Sequence, residues 1–364
     1  MLLKEITDFL ESRADLSLQE NYDNSGLITG HKNWEAAGAI ICLDSTEDVI
    51  DEAIAKGCNL VIAHHPIVFS GLKKFNGKNY VERTIIKAIK HDIAIYAIHT
   101  NLDNVAHGVN AKIAEMLGLQ QLRILQPRNA SLCKLTVFVP VNHKEELLQA
   151  MFSAGAGQIG RYDECSFSTE GTGTFRAGEG ANPYIGEIGK RRIEPEARVE
   201  VVFPAWKTED VVNAMKQAHP YEEEAYEVHN LVNDFQAVGA GMIGKLDQPM
   251  AIGEFLHFLK KTMKTGCVRY AGQSKREVSQ VAFCGGSGSS LLQSAIAAKA
   301  DIFVTADFKY HQFFDAEDKI IIADIGHFES EQFTIELIHD WLKQKFPTFA
   351  THLTEVVTNP VRYL

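Results

Sequence analysis

The run LVIAHHPIVF, Leu60 to Phe69, leads four apolar or small residues straight into two adjacent histidines and a proline. An apolar strand that ends in two imidazoles raises the question of what His64 and His65 hold. Neutral imidazole is the commonest metal ligand. Adjacent strand side chains point to opposite faces, and a chain leaving the strand can splay them around one cleft. The pair therefore suits two neighbouring metals better than one, with Pro66 stiffening the exit. An isolated pair would read as a surface or capping feature, but further donors follow. HTNLDN offers His99 and Asp103, and GHFESE offers His327, Glu329 and Glu331. With a helix starting near Phe328, His327 and Glu331 are four apart and share a face, while Glu329 points elsewhere. A carboxylate so placed could bridge two cations. His64, His65, Asp103, His327 and Glu331 form a mixed N/O set suited to Zn, Fe, Mn, Co or Ni. Five protein ligands for two divalent ions leave positions open to water, the pattern of a catalytic rather than a closed site. Two ions roughly 3.5–4 Å apart can activate water and polarise a substrate oxygen. The competing reading is a set of scattered structural histidines, and the residues alone weigh the two about equally.

Other segments offer chemistry with less specificity. CGGSGSS, Cys284 to Ser290, lies between a predicted strand and helix, where backbone N–H groups could cradle an anion. It lacks the lysine of a phosphate-binding loop, and a tight turn capped by Ser289 or Ser290 reads equally well. In TADFKYH, Asp307, Lys309, Tyr310 and His311 could line the same cleft as substrate contacts or proton carriers. An ordinary polar loop is as good a reading. NYDNSG is turn-rich, and Asp23 could order a neighbouring loop. AHPYEEEAYEVH carries His219, Glu222, Glu223 and His229, read as a solvated acidic strand start before a second ligand site.

The elements that must position these residues fall into three blocks. Residues 1–126 alternate strand and helix: AIICLD, then STEDVIDEAIAKG, NLVIAHH, VERTIIKAIKHD and IAIYAIHT. Apolar strands separated by helices predict a largely parallel sheet covered on both faces. Residues 239–364 repeat that logic with VSQVAFCGG, SSLLQSAIAAKA, DIFVTAD, KIIIADIGH and a long helix over FESEQFTIELIHDWLKQKF. Ala53–His65 lies without gaps on Ala295–Asp307, and Cys42 and Cys284 each stand eleven residues before those segments. That spacing predicts a duplicated half-domain. Residues 127–238 instead hold two β-α-β units in series, which fits a ferredoxin-like α+β domain inserted between the halves. The fold class expected is α/β: duplicated core halves with mixed or parallel sheets, plus that insert. Each donor cluster ends a strand, where open α/β sheets bind ligands.

Bulk properties narrow the function classes. The chain has 364 residues, too many for one ordinary core. Lys plus Arg is 36 against 47 Asp plus Glu, a net charge of −11 at pH 7, which argues against nucleic acid as a partner. No apolar run is long enough to span a bilayer, and the first twenty residues read as an amphipathic helix rather than a signal peptide, so a cytoplasmic protein is expected. The six cysteines form no C-x-x-C pair, so buried reduced thiols are expected.

YDNSGL, LDSTEDVIDEAIAKGCNLVIAHHP, HTNLD, GGSGSSLL and GHFESE together resemble the Nif-three-like family, also called GTP cyclohydrolase I type 2 homologues. The resemblance covers the first and third blocks. YDECSF, GTGTFR, GANPYIGE and AHPYEE resemble the insert of longer bacterial members, similar to the PII signalling and copper-tolerance proteins. It implies a two-metal site on His64, His65, Asp103, His327 and Glu331. Tyr22 stands where tryptophan is usual, a departure at none of the ligand positions. It also implies a toroidal homohexamer, a trimer of dimers with the metal sites facing inward. The activity implied is water attack on the imidazole ring of GTP, with His99 or Tyr310 moving protons. A metal-dependent hydrolase of a nucleotide-like small molecule is therefore expected. The alternative is a regulatory ring that binds a metal, a partner protein or an effector without catalysis.

Overall fold

The structure, a computed structural model, describes residues 1–272 and 277–364. The strands in chain order are β1 Gly26–Thr29, β2 Ala39–Cys42, β3 Leu60–Ala63, β4 Ala94–Ala97 and β5 Gln120–Pro127. They continue with β6 Leu132–Pro140, β7 Ser166–Arg176, β8 Arg191–Pro204, β9 Tyr226–Leu231 and β10 Gly239–Ala251. The last are β11 Arg269–Ala271, β12 Glu277–Ser287, β13 Ile302–Ala306, β14 Ile321–Asp324 and β15 Thr351–Leu353. They build three sheets, ordered β1-β4-β3-β2-β15, β11-β14-β13-β12-β10-β5 and β7-β8-β6-β9.

The chain divides into two compact units, residues 1–127 with 236–364, and residues 128–235. The larger unit holds the first two sheets. Strands β2, β3 and β4 are parallel, and every residue in them is buried. Such continuous apolar runs belong to strands covered on both faces. Strands β12, β13 and β14 are parallel in the same way. Direction changes outside these trios: β1, β5, β10 and β11 all pair antiparallel, while the edge strand β15 joins β2 in parallel, so both sheets are mixed rather than largely parallel. Strand β5 follows the first sheet in sequence yet pairs with β10 in the second.

Helix Glu47–Ala55 shows how local sequence sets an element. Thr46 caps it by accepting from the Val49 N–H, and Glu47 and Asp48 complement the positive end of the helix dipole. Its buried side, Val49, Ile50 and Ala53, packs with Ile40, Val61 and Ile95 of the first sheet. At about 1.5–3 kcal/mol per large aliphatic side chain buried, this packing outweighs what the caps contribute. Leu292, Ala295, Phe303 and Ile322 form the corresponding core of the second sheet.

The long helix expected over Phe328–Phe346 is two helices, His327–Glu331 and Thr334–Lys345. The break lets Phe333 bury and starts a new helix that buries Ile338 and Leu342. In the smaller unit, β6, helix Lys144–Ser153, β7, β8, helix Thr208–Ala218 and β9 follow one another, and all strand pairs are antiparallel. Leu147, Met151, Val211 and Met215 of the two helices pack on Leu135, Val137, Val199 and Val201. Among the described residues no helix is long and apolar enough to cross a membrane.

Candidate metal centre

The ends of β3, β4, β13 and β14 deliver their polar residues to one place in the larger unit. His64 is fully buried and donates Nδ1–H to the Ile98 carbonyl at 2.8 Å. Burial holds its pKa below the usual histidine value, so it stays neutral with Nε2 unprotonated. That Nε2 lies 3.6 Å from Asp103 Oδ1 and 3.9 Å from Glu331 Oε1. Both His64 Nε2 and Asp103 Oδ1 are buried without a hydrogen-bond partner among the described residues. Leaving a buried polar atom unsatisfied costs about 1–3 kcal/mol, so two neighbouring orphans facing one carboxylate fit the donor set of a cation.

His65 and His327 approach the other Glu331 oxygen. His65 Nε2 is 3.0 Å and His327 Nε2 3.2 Å from Glu331 Oε2, and the two nitrogens are 3.4 Å apart. His65 donates Nδ1–H to Asp44 Oδ1 at 2.9 Å, and His327 donates Nδ1–H to Asp307 Oδ2 at 2.6 Å. Each ring is thus turned by a carboxylate so that Nε2 faces inward, the arrangement that orients metal-ligating histidines. Burial opposes protonation of His65, but the hydrogen bonds to Asp44 and Glu331 prevail and raise its pKa to about 10. His327 rises to about 11 in the same way, through Asp307 and Glu331. Burial, then the Glu331 charge, pushes Asp103 well above the carboxylate range. Burial pushes Glu331 the same way, but the facing imidazoles, His327 foremost, hold it well below that range. Two carboxylates so close with opposite shifts form a charge arrangement that a cation would relieve.

His64, His65 and Glu331 each offer one ligand atom within 4.8 Å of the others. Glycine makes room for this convergence. Gly286 has φ +62°, and a Cβ there would stand 2.3 Å from Glu331 Oε1. The CGGSGSS loop therefore serves close approach. Its Gly285 and Gly286 amides are taken by Asn110 Oδ1 and Ser330 Oγ, and no serine caps the six-residue helix Leu292–Ala297.

His99 stands beside the cluster, its ring centroid 5.4 Å from that of His64 and 5.3 Å from that of His65. It donates Nδ1–H to Asp23 Oδ1 at 2.7 Å. Asp23 also accepts from the Asn24 and Thr100 backbone N–H groups and the Thr100 hydroxyl. Burial pushes Asp23 up, but these bonds hold its carboxyl well below the usual range. Lys309, Tyr310 and His311 follow Asp307 in the chain. Tyr310 is 72% exposed on the turn 310–316, its ring against His311 and Phe314, and no interaction among the described residues ties these three to the histidines. His219 in the smaller unit uses Nε2 to hold the Phe138 carbonyl.

The residues absent from the sequence reading are Asp44 and the connection of Asp23 to His99. Their signal is positional: Asp44 stands two residues beyond a buried strand, as His65, His99 and His327 stand just beyond theirs.

A profile of Duf34/NIF3 (NGG1p interacting factor 3) matches residues 1–360. A protein of Halalkalibacterium halodurans named GTP cyclohydrolase 1 type 2 homolog is 40% identical over 324 residues, 88% of this chain and 87% of its own. The Bacillus subtilis protein of the same name is 38% identical over 348 residues, 94% of this chain and 93% of its own. A crystal structure of a Bacillus cereus protein related to NIF3 superposes with a TM-score of 0.87 at 37% identity, covering 100% of this chain and 99% of that one.

Proposed function

The chain belongs to the Duf34/NIF3 (NGG1p interacting factor 3) family, and from that premise we propose that it is a dinuclear metal-dependent hydrolase of a nucleotide-like substrate. The observation that carries this reading is the Glu331 carboxylate, with Oε1 toward His64 and Oε2 toward both His65 and His327. Such an acid would offer one oxygen to each side of the centre. His64 and Asp103 would hold one divalent ion, His65 and His327 the other. When bound, the ions would activate water and polarise a substrate oxygen. Asp44 and Asp307 keep two of the imidazoles aimed, and the bond to the Ile98 carbonyl aims that of His64, whose pKa burial lowers. His99 carries the proton: Asp23 fixes Nδ1–H, leaving Nε2 to accept or deliver one. The name shared by the relatives supports the nucleotide class.

We further read the two sheets of the larger unit as duplicated halves, since their three central strands repeat one order and direction. The smaller unit, ordered β7-β8-β6-β9, we read as a ferredoxin-like, PII-like insert, and the assembly as a toroidal homohexamer. Light scattering on the purified chain tests the last point. One observation favours a regulatory ring instead: residues 128–235 supply none of the centre's donors.

Purified chain stripped of metal, then reloaded with Mn or Zn, should consume GTP or a related nucleotide. Glu331→Gln should lose that turnover while keeping its fold by circular dichroism. Metal binding without turnover across a broad nucleotide screen would replace the hydrolase by the regulatory reading.

A further inference from the structure

Beyond β15 the chain crosses the larger unit over residues 354–363 without regular structure, and it is pinned along the way. At the root, the Thr354 hydroxyl donates to Glu52 Oε2 at 2.5 Å and the Glu355 N–H to Glu52 Oε1 at 3.0 Å. Val356 then packs against the core of the first sheet. Thr358 Oγ1 donates to Asp44 Oδ2 at 2.8 Å, on the carboxylate whose other oxygen holds His65 Nδ1–H at 2.9 Å. The next residue, Asn359, donates Nδ2–H to Glu329 Oε1 at 3.1 Å. Glu329 is buried in the short helix that also carries His327 and Glu331, and its other oxygen lies where a Cβ on Gly326 would come within 2.3 Å. Further on, the Tyr363 ring packs on Gly266, and its hydroxyl lies where a Cβ on Gly326 would come within 2.8 Å.

Two consecutive side chains thus join the two sides of the centre. Asp44 follows β2 of the first sheet, and Glu329 follows β14 of the second. Glu331 must reach His64 and His65 across that same seam, so its 3.0–3.9 Å separations depend on how the seam is held. Apolar packing anchors the segment on either side, at Val356 and Tyr363, but between them Val357 and Val361 are 69% and 53% exposed. Its contacts at the seam are directed hydrogen bonds to two carboxylates, one of them the group that aims a histidine. A segment held by polar contacts to such groups has its leverage on ligand geometry, since partners behind a ligand tune metal affinity by about 10–100-fold.

We propose that residues 354–363 form a strap that sets the geometry of the metal centre, with Thr358 and Asn359 as positioning residues. The proposal rests on the metal-centre reading above. It is tested on the full chain by titration with Co²⁺, following the visible absorption of the bound ion, together with thermal melting of the metal-free protein. Thr358→Val and Asn359→Ala should each weaken cobalt binding by about tenfold and alter the absorption band, with the metal-free melting temperature nearly unchanged. Thr358→Ser, which keeps the hydroxyl, should restore both affinity and band. Because the two variants act on different carboxylates, either one carries the test should the other fail to fold. Wild-type affinity and spectrum in both variants, or a Thr358→Ser protein that behaves as Thr358→Val, would overturn the strap while leaving the centre intact. A wild-type chain that binds no cobalt would overturn the centre and the strap with it, a failure visible before any variant is made.

Discussion

The two sheets of the larger unit place different chemistry on nearly the same frame. In the first, β3 lies between β2 and β4, and in the second, β13 lies between β12 and β14, all parallel. The helix before each middle strand ends in the same way, with Gly57 at φ +67° and Lys299 at φ +59°. Lys299 adopts a left-handed conformation that favours glycine, so the local geometry is kept even where the residue is unfavourable for it. Beyond the middle strands the chemistry reverses. His65 and Asp307 occupy corresponding positions, but His65 is the imidazole held by Asp44, whereas Asp307 is the carboxylate that holds His327. One frame supplies the aimed ring from its middle strand, and the other supplies the aiming acid. The backbone frame therefore determines where an aspartate–histidine pair forms, and side-chain identity determines which member faces inward.

The comparison breaks most completely at the residue both frames share. Glu331→Gln should lower affinity for Zn or Mn by more than about 100-fold, beyond the range of changes behind a ligand, as read by calorimetry. The pairs then separate the two sides. His64→Ala or Asp103→Ala should leave the ion at His65 and His327, and His65→Ala or His327→Ala should leave the other, so elemental analysis should fall from two ions to one. A fall to none for all four variants would mean a single shared site. Asp44→Asn and Asp307→Asn should each weaken binding by about 10–100-fold in chelator competition. Matching losses would mean the reversed pairs do equal work, while a loss confined to one would make the frames unequal.

Acidification probes the same rings. The raised pKa values of His65, about 10, and His327, about 11, mean that an incoming cation displaces protons. Affinity should therefore fall as pH falls, by up to about tenfold per pH unit for each proton displaced. Calorimetry in buffers of different ionisation enthalpy counts those protons, and a count of zero would contradict the aimed-ring description. The smallest effect is expected at Tyr310→Phe. This ring is 72% exposed, and its ring contacts among the described residues are to His311 and Phe314, so metal affinity and stability should shift by less than about 0.5 kcal/mol. A large loss of turnover there would bring the turn 310–316 into the site.

Much of this was legible along the chain. Strands β2, β3, β4 and β13 show as continuous apolar runs, and the helix after Thr46 as a cap followed by acids, because such signals are local. His64, His65, His99, Asp103, His327 and Glu331 are recognisable as donors by type and by their places beyond strands. The misplaced boundaries have physical causes. The edge pairing of β5 with β10 joins segments more than 100 residues apart, and the break after Glu331 follows from burying Phe333, which periodicity does not reveal. Alternation within a strand would send His64 and His65 to opposite faces, whereas a chain leaving the strand can splay both around one cleft, as the sequence reading expects. Strand β3 ends at Ala63, and beyond it both Nε2 atoms turn toward Glu331.

By itself the sequence determined the elements, the donor types and the strand ends that bear them, because propensity, capping and ligand chemistry belong to residues and near neighbours. Helical spacing already set Glu331 beside His327 and Glu329 apart, but tertiary structure alone decided which acids stand behind the rings. Asp103 and Glu331 point to the histidines, whereas Asp44, Asp307 and Asp23 stand behind a ring and Glu329 turns to Asn359. That assignment depends on contacts such as His65 to Glu331, 266 residues apart in the chain. The role of a carboxylate follows from what lies across from it, and only the packed sheets bring those groups together.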